Sequence, residues 1–263
     1  MTKTEGGYRS LGNSSKQDSS LPVISIITVV YNSEEYIERT INSVLKQTYP
    51  NVEHVILDGA SKDRTLEIIR NYEEKIAFWK SESDKGIYDA MNKAQTLATG
   101  DYVMFLNSGD EFVNNDILLN SFQSKANADV YYGDTVITDE MGHDLHNRRL
   151  RPPQQLNWKD FRYGMLVCHQ SIIIRKELSQ KYNTNYRIAA DIDWAIRSIK
   201  LAKNIVNTQI SISKFMEGGM SSIHHRKGLM ERYYILNKHF GYIPNFLVHI
   251  YMIFRLIRDK IMR

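Results

Sequence analysis

Carboxylates in this 263-residue chain recur where a turn follows an apolar run, and such positions suit both metal coordination and proton transfer. In FLNSGDEF, Asp110 lies just past a strand-like run, where its oxygens can reach a magnesium or manganese ion bridging a diphosphate. An ordinary turn carboxylate would read the same way. In LDGASKDRT, Asp58 closes another strand-like run, with Ser61 and Asp63 after it. It is placed to accept from a base N–H or a ribose hydroxyl, or simply to make a turn. SDKGIYDAMNKA sets Asp84, Lys85, Gly86 and Asp89 at a loop-to-helix junction, where the lysine can offset phosphate charge and the glycine allows close backbone approach. A capped helix is the plainer reading of the same residues. In AADIDWAIR, Asp191 and Asp193 bracket one apolar residue at a helix start, so Asp191 can serve as an N-cap or as a general base. CHQSIIIR offers His169 and Gln170 to a pyrophosphate, a sugar hydroxyl or a structural partner. EGGMSSIHHRKG adds Gly218, Gly219 and Ser221, with His224 and His225 near a metal or diphosphate.

These groups need a scaffold that gathers them, and the hydrophobic pattern predicts one. PVISIITVVYN is a β-branched run too apolar for a surface strand and suited to a sheet buried on both faces. Ser33 can then cap a helix carrying Tyr36, Ile37, Ile41, Val44 and Leu45. VEHVILDGAS predicts a second strand, followed by a helix over about 63–72, a segment near 76–82, a helix over 88–98 and the strand DYVMFLN. This βαβαβ-like series predicts an α/β fold with a mostly parallel sheet, with Tyr31, Asn32, Asp58, Gly59 and the 107–110 turn at the carboxyl ends of its strands. The second half, about 111–225, predicts strands at VYYGDTVI and VCHQSIIIR and a helix at DIDWAIRSIKLA, read as acceptor-side structure on the same domain.

Mixed charge and ordinary hydrophobic content argue against a disordered chain or a nucleic-acid binder, and a pI near 8.9 is compatible with phosphate-rich ligands or an anionic membrane surface. The single cysteine, Cys168, excludes an intrachain disulfide framework and a cysteine-based zinc cluster, which fits a reducing, cytoplasmic setting. Residues 1–21 are polar, without a secretory apolar stretch, and are expected to form a disordered leader.

Taken as an ordered set, ITVVYN, LDGASKDRT, SDKGIYDAMNKA, FLNSGDEF, ADIDW and GGMS resemble the family 2 glycosyltransferases of the GT-A fold over roughly residues 22–222. The resemblance implies a Rossmann-like nucleotide-binding domain over 22–225. Thr28, Tyr31, Glu34 and Asp58 would line the base and ribose pocket, and Asp84 and Lys85 would lie toward the base and diphosphate. Asp110 would be the principal ligand of a Mn2+ or Mg2+ cofactor, with Asn107 standing where the family usually places the first carboxylate of DxD or DDD. Asp191 would be the catalytic base, with Ala190 in place of the family's usual glutamate and Asp193 as second candidate. The activity so implied is inverting transfer of a sugar from a nucleotide sugar, UDP by default, to a glycan or lipid-linked acceptor hydroxyl.

Other classes fit less well. A nucleotidyltransferase would carry a glycine-rich basic loop after the first strand, where ITVVYNSEE continues into an acidic turn, and a dinucleotide-dependent oxidoreductase would show GxGxxG there. A noncatalytic sugar-binding protein accommodates the missing DxD carboxylate, but not the joint retention of Asp58, Asp110 and Asp191. Residues 226–263 mix aromatic and aliphatic residues with Arg255, Arg258, Lys260 and Arg263, and predict an amphipathic helical extension. It is read as an in-plane anchor at the inner face of the cell membrane, against a helix packed on its own domain.

Overall fold

The computed structural model describes residues 4–12, 18–123, 127–218 and 225–261. Its strands among these residues are β1 (Glu5–Gly6), β2 (Ile24–Val30), β3 (Val52–Asp58), β4 (Phe78–Ser81), β5 (Tyr102–Phe105), β6 (Glu111–Phe112), β7 (Val130–Thr138), β8 (Asp144–Asn147), β9 (Ile172–Arg175) and β10 (Ile205–Met216). The helices are α1 (Ile37–Leu45), α2 (Thr65–Asn71), α3 (Ile87–Leu97), α4 (Ile117–Gln123), α5 (Ala190–Ile199), α6 (His225–Phe240) and α7 (Tyr242–Ile261). One sheet runs in the order β1-β4-β3-β2-β5-β9-β7-β10-β6, with β8 paired to β7. Strands β4, β3, β2 and β5 are parallel to one another, as are β7 and β10, while β9 is antiparallel to both β5 and β7.

All seven residues of β2 are buried, as its unbroken apolar run requires of a strand covered on both faces. The two-residue side-chain period divides it: Ile27 and Val29 join a core with Tyr88, Met91 and Ala94 of α3 and Trp194 of α5, while Ile24 and Ile26 join another with Val44 and Leu118. A third cluster, with Ile37, Ile41, Ile69 and Trp79, fills the space beneath α1 and α2. Ser33 does not cap α1. Its N-cap is Tyr36, and the Ser33 hydroxyl pairs instead with that of Ser108 at 2.7 Å.

The expectation of a disordered leader is corrected where the structure describes it. Glu5 and Gly6 pair antiparallel with Lys80 and Trp79, Ser81 donates its N–H to the Thr4 carbonyl at 2.7 Å, and Arg9 reaches Glu53 at 3.2 Å. Two glycines make this docking possible. A Cβ at Gly6 would meet the Trp79 ring, and Gly7 takes φ +105 with its missing Cβ 2.6 Å from the Ala77 carbonyl oxygen. Residues 1–3 and 13–17 of that leader lie outside the described residues. At the other end, α6 and α7 meet at Gly241, whose φ is +85. Ile235 and Leu236 of α6 enter the α3–α5 core, and Phe240 stacks on Trp158 at 5.5 Å.

Candidate active site

The parallel strands end in loops that brace one another. At the end of β2, Asn32 adopts a left-handed conformation (φ 46), donates its N–H to the Ser61 hydroxyl at 2.8 Å and accepts from the Lys62 N–H at 2.8 Å. Asp58 ends β3 fully buried, accepting from the Ser61 N–H, the Ser61 hydroxyl and, at 2.6 Å, the Ser81 hydroxyl. Both its oxygens therefore shape the 59–63 turn. Glu34 is exposed and accepts from the Arg64 N–H at 2.7 Å, which ties the first loop to the start of α2. Tyr31 is 60% exposed, a large apolar ring left free beside Gly59. Asp84 approaches the same point, its Oδ2 2.5 Å and the Tyr31 ring 3.3 Å from where a Gly59 Cβ would stand, and its Oδ1 accepts from the Gly86 N–H at 2.7 Å. Lys85 is exposed, its N–H given to Asp89 and its carbonyl held by Arg187 at 2.6 Å.

Thr28 is a correction. It is fully buried, and its hydroxyl donates to the Leu106 carbonyl at 2.7 Å and pairs with His54 at 2.9 Å. A hydroxyl so committed within the sheet lines no pocket. Burial holds that His54 imidazole neutral, pushed down to about 3.

Past β5, the 107–110 turn is fixed from α1. The Thr40 hydroxyl accepts from the Gly109 N–H and donates to the Asp110 carbonyl, and Arg39 donates to the Gly109 carbonyl at 2.9 Å. Gly109 takes φ +97, and a Cβ there would meet Met216 at 2.8 Å, so the turn admits little else. The Asp110 side chain, 4% exposed, accepts from Gln170 Nε2 at 3.0 Å and from the Met216 N–H at 3.3 Å. Burial pushes its carboxyl up to about 7, against the lowering effect of those donors. Asn107 reaches His169 Nε2 at 3.5 Å, and its buried Oδ1 has no partner. His169 Nδ1 faces Asp191 Oδ2 at 3.9 Å, too long for a hydrogen bond. Burial lowers the imidazole below its usual value despite the pull of Asp191, so His169 acts as a neutral group. Asp191 keeps 27% of its side chain exposed at the first turn of α5.

Asp191 does not cap α5. The N-cap is Ala189, and Asp191 Oδ1 accepts from the Ile192 N–H at 2.9 Å. Asp193 is excluded as a base: it is 1% exposed and clamped between Arg197 at 2.7 Å and His239 at 2.8 Å. Of the glycine-rich segment, Gly218 is described at φ +99, while Gly219, Ser221 and His224, and the His225 side chain, lie outside the described residues.

These contacts form a ring. Ser33 meets Ser108, Asp110 meets Gln170, His169 faces Asp191, Arg187 holds the Lys85 loop, and Asp84 and Tyr31 close around Gly59. No group of three or more histidine, cysteine or acidic side chains suited to a metal occurs among the described residues. The donor set nonetheless fits a hard divalent cation held mainly by its substrate. Asp110 would supply one buried carboxylate that resists ionisation alone, and the unpaired Asn107 Oδ1, on the same 107–110 turn, a second oxygen. Sequence reasoning missed Ser81, Arg187 and the residues of α6 that hold the 187–189 segment. Only the Gly59 beside Asp58 carried a local signal of close approach.

The comparisons with known proteins agree with this architecture. The model of the family described as glycosyl transferase family 2 matches residues 25–183. An uncharacterized glycosyltransferase of Mycobacterium tuberculosis is 30% identical over 189 residues, covering 68% of this chain and 70% of its own. Staphylococcus aureus TarS 1-349, solved with UDP-GlcNAc, superposes with a TM-score of 0.62 at 23% identity over 76% of this chain, which spans 60% of that one. The mannosyltransferase PcManGT of Pyrobaculum calidifontis, solved with GDP-Man and Mn2+, gives 0.61 at 18% identity over 92% of this chain and 73% of its own. The fold is thus the GT-A glycosyltransferase fold, a mixed sheet whose longest pairings are parallel. The chain belongs to the family 2 glycosyltransferases.

Proposed function

We propose that this protein moves a sugar from a nucleotide sugar to an acceptor hydroxyl with inversion at the anomeric carbon. The observation that carries the reading is the pairing of two unlike carboxylates across one short turn. Gln170 binds the buried, ionisation-resistant Asp110, while its neighbour His169 faces the partly exposed Asp191. The first suits charge held against a leaving diphosphate, and the second suits proton transfer. Asp191 takes the acceptor proton as the acceptor oxygen forms a bond to the anomeric carbon. The bond to the diphosphate oxygen breaks on the opposite face, and its electron pair leaves with the nucleoside diphosphate. A divalent cation, Mn2+ or Mg2+, held by Asp110 with the Asn107 amide oxygen nearby, would supply positive charge to that leaving group. Tyr31 offers a free ring to the base, Asp84 an acceptor, and the exposed Lys85 ammonium a countercharge to phosphate. A uridine donor is favoured by the UDP-GlcNAc complex of TarS, and a metal by the Mn2+ complex of PcManGT.

The acceptor we propose is a glycan or lipid-linked sugar at the inner face of the cell membrane. No helix among the described residues is long and apolar enough to cross a membrane. Yet α7 exposes Tyr242, Ile243, Phe246, Leu247 and Phe254 beside a basic sequence, the pattern of a helix lying in an interface. The test of the reaction is a panel of nucleotide sugars, with and without manganese, on the intact chain, Asp110→Ala and Asp191→Asn. Manganese-dependent release of one nucleoside diphosphate, lost in both variants, is expected. Full-rate transfer by Asp191→Asn would sink the mechanism.

A further inference from the structure

The segment that leads into the Asp191 helix is held by a residue 42 to 44 positions further on. Glu231 of α6 accepts from three consecutive backbone N–H groups: Arg187 at 3.0 Å, Ile188 at 2.8 Å and Ala189 at 3.1 Å. Helix α5 has no side-chain cap of its own, since Ala189 stands at the N-cap and carries no acceptor. Glu231 therefore places a carboxylate from another helix on the three amides that lead into α5, the last of them the N-cap N–H, beside the positive end of that helix. About two turns further along α6, His239 binds Asp193 Oδ1 at 2.8 Å, two residues past Asp191. The turn bearing Asp191 is pinned on both sides by one helix. The same segment also carries the Arg187 hydrogen bond to the Lys85 carbonyl and the Tyr88 hydroxyl bond to the Ile188 carbonyl at 2.8 Å.

We infer that Glu231 is a positioning residue for the reaction: it fixes the 187–189 segment, and through it sets the place of the Asp191 carboxylate against the donor loop at Lys85. The inference rests on the proposed role of Asp191 as base. It makes α6 part of the catalytic apparatus, beyond any service as an attachment.

The experiment measures kcat, donor KM and thermal midpoint for the full chain and for Glu231→Gln, Asp191→Asn and the two combined, with calorimetric binding of uridine diphosphate and manganese. A base displaced by about an ångström loses on the order of 10- to 100-fold in rate. Glu231→Gln is therefore expected to lower kcat at least about tenfold, with nucleotide affinity within about twofold. In the Asp191→Asn background the same change should cost nothing further, because no base remains to be displaced. A lowered midpoint with unchanged kcat per folded molecule would overturn the inference and leave Glu231 a purely architectural residue. Wild-type kcat in Asp191→Asn would instead overturn the base assignment, so the two failures are separable. If Glu231→Gln does not fold, His239→Gln reads the same coupling through Asp193, with a kcat loss of about threefold expected and none overturning it.

Discussion

Asp110 shows how a side chain proposed for chemistry can be costly to the fold. Its folded carboxyl is raised to about 7 by burial, against an unfolded value near 3.8. The folded state therefore binds the proton more tightly between these limits. The associated stability is fully present below about pH 3.8 and is lost as pH rises through about 7. At pH 8 the metal-free protein carries an ionised carboxylate in a dry site at a cost of roughly 4 kcal/mol, of which about half is recovered when a neutral amide, itself polar and buried, replaces it. Asp110→Asn keeps the shape, and Gln170 can turn its amide to match, so its metal-free thermal midpoint at pH 8 is expected to lie about 5 °C above wild type. At pH 4 the two should melt together, and manganese with nucleotide should raise the wild type only. Melting curves at both pH values check this. An Asp110→Asn variant less stable than wild type at pH 8 would contradict the burial account. Strand-end positions single out Asp110 and Asp58 in the sequence, and a helix start singles out Asp191. Thr28 misleads because the sequence does not show which way a β2 hydroxyl points, and here it points at Leu106 and His54.

Elements carry the next layer of information, and helices α5 and α6 show where the sequence falls silent. The strands β2, β3 and β5 and the helices α3 and α5 follow from local periodicity, which is why their order and ends are readable. The bonds from Glu231 and His239 span 42 to 46 residues and leave no periodic trace. Asp193 therefore reads as a spare base, although it is the anchor between the two helices. Burial alone would raise its carboxyl, and His239 and Arg197 together bring it below its usual value. A lowered folded value contributes stability above about pH 3.8, lost as pH falls through the folded pKa. Asp193→Asn is expected to cost about 3 kcal/mol at pH 7, because Arg197 and His239 lose a buried partner. Urea midpoints at pH 7 and pH 3 measure it, and the gap should shrink at the lower pH. An equal gap at both would mean that packing, not charge, holds α5 to α6.

At the scale of the whole molecule, the chain's two ends do opposite work, although both read as appendages. The N-terminal arm extends the sheet past β4 and puts Arg9 against Glu53, so it belongs to the fold. The C-terminal pair is divided: α6 turns Ile235, Leu236 and Glu231 inward, while α7 leaves Ile243 at 75%, Phe246 at 57% and Leu247 at 59% exposure. A soluble domain gains nothing from such exposure, whereas burying each side chain in an acyl boundary is worth about 1.5–3 kcal/mol. Because the two residues already face solvent, Phe246→Glu with Leu247→Glu should leave the thermal midpoint and transfer to a water-soluble acceptor unchanged. Removing two apolar anchors and adding two negative charges should reduce partition onto anionic vesicles by at least about 100-fold, the product of two tenfold losses. Cosedimentation with vesicles containing anionic lipid, read beside activity on the soluble acceptor, separates the alternatives. Undiminished sedimentation of the double variant would place any membrane contact elsewhere on the molecule. A loss of soluble activity would mean that α7, like α6, reaches inward to the site.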